Sequence, residues 1–272
     1  MTVANYPFWR VVPAESGREG AYTLPVMPPA TVGPEGAPHI MGGVALAAAI
    51  DAMELASGQP ILWANMQFLS PTQHAEELHV TCEQCGGGQS VGQWMAEAHV
   101  NGRPTHRVSA ALGAREPSET QIFASMPKVL PPEDCEPEDC EPEDWEPESA
   151  GRWGPPGTLY DQHERRIADA DTDRGYVAVW TRSTAGFAND AGWLAIVSDF
   201  FLGGHPKSAG GSSLDATFRF VQAAPPGWVL SVTQMGAIDR GVIHGQAQHF
   251  SESGDLLALS SQTGVLPRIP RG

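Results

Sequence analysis

Cysteine, lysine and long apolar runs are all scarce in this chain of 272 residues. The four cysteines are too few to predict a disulfide framework, so we expect reduced thiols, as in the cytosol. No run of residues approaches the roughly 20 apolar positions that a helix needs to cross a membrane. The N-terminal stretch MTVANYPFWRVVPAESGREG also contains no apolar core of a signal peptide. These absences predict a cytoplasmic protein.

Positive charge is scarce too, because 16 Lys and Arg stand against 32 Asp and Glu, a formal net charge of −16. Nucleic acids and anionic membranes bind to cationic surfaces, so we expect neither as a partner. Hydrophobic residues nevertheless make up 41% of the chain, which is enough to build packed cores. The length suits two domains of roughly 110–130 residues each.

Most of the acid lies in one repetitive stretch, PPEDCEPEDCEPEDWEPE, at positions 131–148. Ten acidic residues lie between Glu133 and Glu148, and without them the net charge would be −6. Like-charge repulsion and repeated proline disfavour helix and sheet, so we predict a solvated, extended linker. A docking segment, or a metal-binding tract around Cys135 and Cys140, is the alternative. The predicted division of the chain is an N-terminal unit 1–116, a linker 117–157 and a C-terminal unit 158–272.

Each unit has the same predicted order, one apolar helix followed by four strands. In the first unit, the small residues of Gly42–Ser57 favour a helix. In the second unit, Asn189 or Asp190 can cap a helix that runs to about Leu202 and ends at a glycine pair. Turn residues separate the strands that follow. The predicted strands are Ile61–Leu69, Glu77–Cys85, Ser90–Val100 and Thr105–Ala114 in the first unit, and Ser213–Val221, Trp228–Gly236, Gly241–Phe250 and Leu256–Leu266 in the second.

The two units also align with each other along their strands, at an almost constant offset. Both helices are apolar nearly all round, so each has to be buried on most sides and the sheet has to curl around it. A helix followed by four antiparallel strands, present twice, indicates a duplicated α+β unit. The aligned landmarks are Phe68 with Phe220, His99 with His249, and Gly113 with Gly264.

This duplicated unit resembles the hotdog fold in its tandem form, and the sequence is similar to the type II acyl-CoA thioesterases. The resemblance implies an α+β double hotdog, in which each unit wraps an antiparallel sheet around a long helix. It rests on seven motifs in the family's order, which span most of the chain apart from the acidic linker. They are HIMGG at 39–43, FLSP at 68–71, NGRPTHRVSAALG at 101–113, PSETQI at 117–122, VSDF at 197–200, SSLDATFRF at 212–220 and SSQTGVLPR at 260–268.

The resemblance implies hydrolysis of fatty acyl-CoA to a free fatty acid and CoA, without a metal or another cofactor. By motif, the family's catalytic acid corresponds to Asp199, its hydroxyl to Ser213 and its amide to Gln262, which together hold and activate one water. The sequence departs from the family where Ser213 replaces Thr and where Val44 replaces Gln. Double hotdogs of this family commonly pair further through exposed sheet edges, so we expect a homo-oligomer.

Elementary chemistry supports the same site. An acid placed inside the apolar helix LAIVSDFFLGG, as Asp199 is here, is costly to bury unless it is paired or functional. The Gly42 and Gly43 pair at the start of the first helix would let substrate approach the backbone and would offer N–H groups to an oxyanion. His39 either lines the entrance or has no chemical role.

Two other functions fit parts of the pattern. A non-catalytic acyl-CoA-binding protein would be consistent with the departures from the family motifs. A hotdog hydratase or dehydratase would need an Asp–His pair, for which Asp199 and His205 are the candidates, although no Asn lies between them. A zinc site at Cys82 and Cys85 would need two further ligands that we cannot place, so we predict no metal.

Overall fold

The chain folds into one twelve-stranded antiparallel sheet around two buried helices, which agrees with the predicted α+β class. The computed structural model describes residues 7–34, 36–115, 119–136, 157–202, 206–208 and 210–267. The elements of the first unit are β1 Val12–Pro13, β2 Ala21–Pro25, β3 Thr31–Val32, β4 His39–Ile40, α1 Gly42–Ser57, β5 Ile61–Phe68, β6 Glu77–Gly87, β7 Val91–Val100 and β8 Arg103–Gly113. Those of the second are β9 His163–Asp171, β10 Tyr176–Ser183, α2 Ala191–Ser198, β11 Ser212–Phe220, β12 Val229–Asp239, β13 Val242–Ser251 and β14 Leu256–Val265.

The large sheet is continuous across the two units, in the order β1-β2-β6-β7-β8-β5-β11-β14-β13-β12-β10-β9. Strands β5 and β11 pair at its centre, with Trp63 opposite Arg219 and Gln67 opposite Asp215. Each unit contributes six strands to this sheet rather than the predicted four. The missed strands form the two edge hairpins, where β1 is only two residues long and β9, HERRIADAD, has the charged sequence of an exposed edge.

The first helix agrees with its predicted bounds. Its small side chains, mostly alanine, allow nearly every residue from Gly43 to Met53 to be buried. It ends at Gly58, which adopts a left-handed backbone (φ 65°) and donates its N–H to the carbonyl of Glu54. Neither helix of the described residues is long and apolar enough to cross a membrane.

The second helix is shorter than predicted. It begins at Asp190, whose carboxylate accepts the N–H of Trp193 as a cap, but its α-helical part ends at Ser198. A 3-10 turn, Asp199–Phe201, continues the chain, so Asp199 lies at the helix C-cap and its predicted place in the helix interior is wrong. Such tightening is common at helix ends, where the last N–H groups change partners.

Strand registers define which residues of the two units correspond. Ile61 pairs with Leu112 and Ser213 pairs with Gly264, and both pairings are followed by an irregularity in register. The central strands therefore repeat with a constant offset of 152 positions, down to the position of the irregularity. The predicted equivalence of Phe68 and Phe220 fits this offset and is confirmed, whereas Gly264 corresponds to Leu112 and not to Gly113.

The predicted equivalence of His99 and His249 is also wrong by one residue. The register of β13 with β14 places His249 where Ala98 lies in the first unit. A slip of one residue reverses the face of a strand. His249 is accordingly buried, with its two ring nitrogens 2.9 Å from the hydroxyls of Ser231 and Ser260, whereas His99 is partly exposed.

Residues 119–136 pack along the sheet of the second unit. The indole N–H of Trp180 donates to the carbonyl of Leu130, and Arg166 donates to the carbonyl of Pro132. In the first acidic repeat, Pro132 and Cys135 are buried, with Cys135 in the same cluster, which the prediction of a solvated linker missed, whereas the acidic residues Glu133, Asp134 and Glu136 are exposed as predicted. The remainder of the acidic repeat, which includes Cys140, lies outside the described residues.

Candidate active site

The structure brings Asp199, Ser213 and Gln262 together in one hydrogen-bonded group. The side-chain N–H groups of Gln262 donate to Asp199 Oδ1, at 2.5 Å, and to Ser213 Oγ, at 2.7 Å. The other carboxylate oxygen, Asp199 Oδ2, accepts the backbone N–H of Gly43 at 2.6 Å. The group therefore lies where the second unit meets the start of α1.

Three elements of the second unit position these side chains. Asp199 follows α2, Ser213 lies on β11, and Gln262 lies on the neighbouring strand β14, opposite Ala216. Packing of the two helices at their contact depends on glycine. A Cβ on Gly43 would lie 2.8 Å from both Asp199 Cβ and the Cα of Ile196, so only a residue without a side chain fits here.

Burial perturbs the acid of this group. Desolvation raises the pKa of Asp199 from 3.8 to about 6, against the opposing effect of the hydrogen bonds from Gly43 and Gln262. Both of these donors are electrically neutral, so they offset the cost of burial less than a positive charge would. A carboxylate whose pKa lies close to neutrality is suited to accept a proton from a substrate or a water.

The amide and hydroxyl have unused hydrogen-bonding capacity. Gln262 is 5% exposed, and its Oε1 is buried without a hydrogen-bond partner in the part of the chain that the structure describes. Ser213 Oγ accepts from Gln262, which leaves its own hydrogen to be donated. Asp199 and Ser213 therefore offer an acceptor and a donor, and the side-chain nitrogen of Gln262 fixes their relative position.

The glycine pair that opens α1 has two different environments. Gly43 N–H is engaged by Asp199, and among the described residues no acceptor pairs with Gly42 N–H. A Cβ on Gly42 would lie 2.7 Å from the ring of Phe68 and 2.8 Å from Asp199 Oδ2. The ring of Phe68 therefore also borders the site. The sequence indicated this residue only as a landmark of the repeat, within the motif FLSP.

The remaining predicted residues are less closely tied to this group. His39 lies on β4, with Nδ1 3.3 Å from the carbonyl of Ala37, and no contact in the described residues joins it to the trio, so its role stays a prediction. Val44 is fully buried in α1, in a setting that suits an apolar side chain. His205, the candidate of the dehydratase alternative, lies outside the described residues. In the described residues, no group of three or more His, Cys, Asp and Glu side chains could hold a metal ion.

Comparison with known proteins follows the same division into two units. A family model of the acyl-CoA thioesterase N-terminal domain matches residues 29–113, and a model of the C-terminal domain of these enzymes matches residues 132–266. A comparison with curated protein sequences found no match.

Solved structures show the fold over nearly the whole chain. A candidate thioesterase from Novosphingobium aromaticivorans is 28% identical, with a TM-score of 0.86, over 97% of this chain and 100% of that one. A hot dog protein of unknown function from Alicyclobacillus acidocaldarius is 16% identical, with a TM-score of 0.81, over 99% and 100%. The acyl-CoA thioesterase II TesB2 from Mycobacterium marinum is 15% identical, with a TM-score of 0.74, over 97% and 98%. The chain therefore belongs to the acyl-CoA thioesterase family and has a double hotdog fold.

Proposed function

We propose that this protein hydrolyses fatty acyl-CoA to a free fatty acid and CoA with a water that Asp199, Ser213 and Gln262 hold. The observation that carries this proposal is the partly buried carboxylate of Asp199, which among the described residues accepts hydrogen bonds from neutral donors and is joined through Gln262 to Ser213. A structural acid at a helix end would be expected to pair with a cation or to face water. This one is desolvated, and its pKa is raised towards neutrality.

The reaction begins with the bound water. Asp199 takes one of its protons and the Ser213 hydroxyl donates to the water oxygen, while the side-chain nitrogen of Gln262 holds both side chains in position. The oxygen attacks the thioester carbonyl carbon, and the carbonyl π electrons move to its oxygen to give a tetrahedral oxyanion. The oxyanion collapses, the carbon–sulfur bond breaks, and the proton held by Asp199 passes to the CoA sulfur. The acid leaves with the water oxygen.

The oxyanion needs a separate stabilising group. Gly42 N–H, at the positive end of the 16-residue helix α1, is our candidate donor. Gly43 N–H instead holds the carboxylate of Asp199, so the two glycines have different roles. The first orients the substrate carbonyl, and the second positions the base.

We also propose that the protein is cytoplasmic and forms a homo-oligomer, with unit boundaries at 1–116, 117–157 and 158–272. The support for oligomerisation is the resemblance to the family, together with the two open edges of the twelve-stranded sheet. Light scattering coupled to gel filtration measures the mass directly. A monomer of 29.0 kDa at micromolar concentration would contradict the oligomer.

The test of the activity is thiol release from a panel of acyl-CoA thioesters, from short to long acyl chains, by wild type and Asp199→Asn. We expect hydrolysis by the wild type and a loss of about 10²–10⁴-fold in kcat for the variant, with binding retained. Binding of acyl-CoA without any hydrolysis by the wild type would support the non-catalytic alternative instead. Hydrolysis that is unaffected by the variant would leave the activity standing and remove this site from it.

A further inference from the structure

The first unit contains a degenerate copy of the candidate active site. Residues 43–51, GVALAAAID, align with residues 191–199, AGWLAIVSD, so Asp51 occupies in α1 the place of Asp199 after α2. The strand offset of 152 sets Ile61 against Ser213 and Ala110 against Gln262. The copy therefore keeps the carboxylate and lacks both of the groups that would orient a water.

The surroundings of Asp51 repeat those of Asp199 as well. A cavity of about 150 Å³ lies between Asp51 on α1, Gly192 at the start of α2, and Phe220. In the candidate active site, a carboxylate, the start of the other helix and a phenylalanine also meet. Asp199 there lies against the glycines that open α1 and beside Phe68. The cavity beside Asp51 in the first unit thus corresponds to the candidate active site beside Asp199 in the second.

A segment of the chain itself occupies the copy. Arg10 Nη1 lies 2.5 Å from Asp51 Oδ1, and the backbone N–H of Val11 donates to Asp51 Oδ2 at 2.9 Å, so both carboxylate oxygens are engaged. The second guanidinium nitrogen of Arg10 lies 3.8 Å from Asp190, the cap of α2.

Trp9 covers the glycine that opens α2. A Cβ on Gly192 would lie 2.3 Å from Trp9 Nε1, which shows how closely the indole lies on the helix backbone. Trp9 is 1% exposed and packs edge-on against Phe187, with ring centroids 4.9 Å apart, and beside Trp193 at 6.2 Å. The start of α2, where Ala191 aligns with Gly43 and Gly192 with Val44, is therefore covered by an apolar ring from the same chain.

We propose that this cavity is a second acyl-CoA-binding site that Trp9 and Arg10 keep closed, so that each chain binds and hydrolyses one acyl-CoA at a time. This inference rests on the proposed function, because it assigns to the copy the ligand of the candidate active site. Removal of the indole opens a place for an acyl group between α1, α2 and Phe220. The opened site binds without hydrolysing, because Ile61 and Ala110 cannot orient a water.

The experiment counts ligands per chain by isothermal titration calorimetry. The probe is the non-hydrolysable thioether analogue of the acyl-CoA that the wild type hydrolyses fastest. Wild type is compared with Trp9→Ala, and with Trp228→Ala as the matched control. Trp228 is a similarly buried tryptophan that packs under Arg166 and Arg182. We expect one analogue per chain for wild type and control, two for Trp9→Ala, and an unchanged kcat per chain for that variant.

Circular dichroism establishes first that each variant is folded, and Trp9→Leu, which removes less volume, replaces Trp9→Ala if the latter is not. One analogue per folded Trp9 variant would overturn the inference and leave the proposed function intact. Two analogues bound to the control variant as well would also overturn it, because the second site would then not depend on Trp9. A wild type that hydrolyses no thioester of the acyl-CoA panel and binds none of their thioether analogues would refute the proposed function itself.

Discussion

The two units of this protein share a backbone but differ in the groups that contact their equivalent carboxylates. Asp51 is ion-paired with Arg10, whereas the partners of Asp199 among the described residues are a backbone N–H and a side-chain amide. The guanidinium of Arg10 and the N–H of Val11 occupy both oxygens of Asp51, while the neutral donors of Asp199 do not offset its desolvation, so the pKa of Asp199 is raised. The groups that contact the carboxylate, and not its position in the fold, therefore distinguish the structural acid Asp51 from the candidate base Asp199.

The largest expected effect separates the two acids directly. Asp199→Asn is expected to lower kcat by about 10²–10⁴-fold, because an amide cannot take the proton of the water. Asp51→Asn removes the charge that pairs with Arg10, so we expect a loss of roughly 1–2 kcal/mol in the free energy of unfolding, less than for a fully buried pair because the Arg10 side chain is 39% exposed. Its kcat is expected to stay within about twofold of wild type, since this acid has no part in the proposed reaction. Thiol release and urea unfolding on both variants provide the two measurements. Equal loss of kcat in the two variants would abolish the distinction between the acids.

The two helix-opening glycines provide a second comparison. Gly43→Ala places a Cβ against Asp199 and the backbone of α2, at 2.8 Å, and is expected to displace the base. A misplacement of about 1 Å at a reacting group costs on the order of 10²-fold in rate. Gly192→Ala instead pushes on the indole of Trp9 and should lower stability with little change in kcat per folded chain. Steady-state kinetics and thermal unfolding of both variants measure this difference, and Gly36→Ala, where a Cβ meets nothing within 4 Å, controls for loss of glycine alone. A Gly192 variant that loses as much activity as the Gly43 variant would contradict it.

Much of this architecture could be predicted from the sequence, because it depends on regular patterns. The helix Gly42–Ser57 follows from its run of small residues, and the eight inner strands follow from alternation bounded by turn residues. Asp199, Ser213 and Gln262 were predicted from motif resemblance, and the structure brings them within hydrogen-bond distance of each other. Its catalytic role remains a proposal.

The rest depended on information that lies outside any local pattern. Asp199 is held by Gly43, 156 positions away, and neither spacing nor periodicity encodes such a contact. The edge strand β1 is too short to show alternation. The predicted alignment of His99 with His249 is wrong by one position. A shift of one residue barely changes the quality of a sequence alignment, but it reverses the face of the strand. Closure of the copy by Trp9 could be predicted only with both units in place.

The third comparison uses pH. Because the pKa of Asp199 is raised to about 6, the ionised base is lost below that value, and kcat/KM should fall about fivefold between pH 6 and pH 5. The folded state also binds this proton more tightly than the unfolded chain does. The stabilisation that it provides is complete below pH 3.8 and is lost as the pH rises through about 6, to a total of about 3 kcal/mol. This contribution to the pH slope of the unfolding free energy should be lost in Asp199→Asn and retained in Asp51→Asn. Denaturant titrations at a series of pH values measure it, and identical slopes in the two variants would show that the burial of Asp199 is relieved in solution.

The smallest expected effect concerns the hydroxyl that the first unit lacks. Ser213→Ala removes the donor to the water and one acceptor of Gln262, so we expect kcat to fall about tenfold with KM little changed, as for one lost hydrogen bond in the transition state. Ser213→Thr keeps the hydroxyl and adds a methyl, so its kcat should stay within about threefold of wild type. At the equivalent place in the first unit, Ile61→Val removes one methylene from the core and should cost about 1 kcal/mol of stability with no effect on kcat. If Ser213→Ala retains the full rate, the hydroxyl has no part in catalysis, and the two units then differ functionally at Gln262 and at the partner of the carboxylate alone.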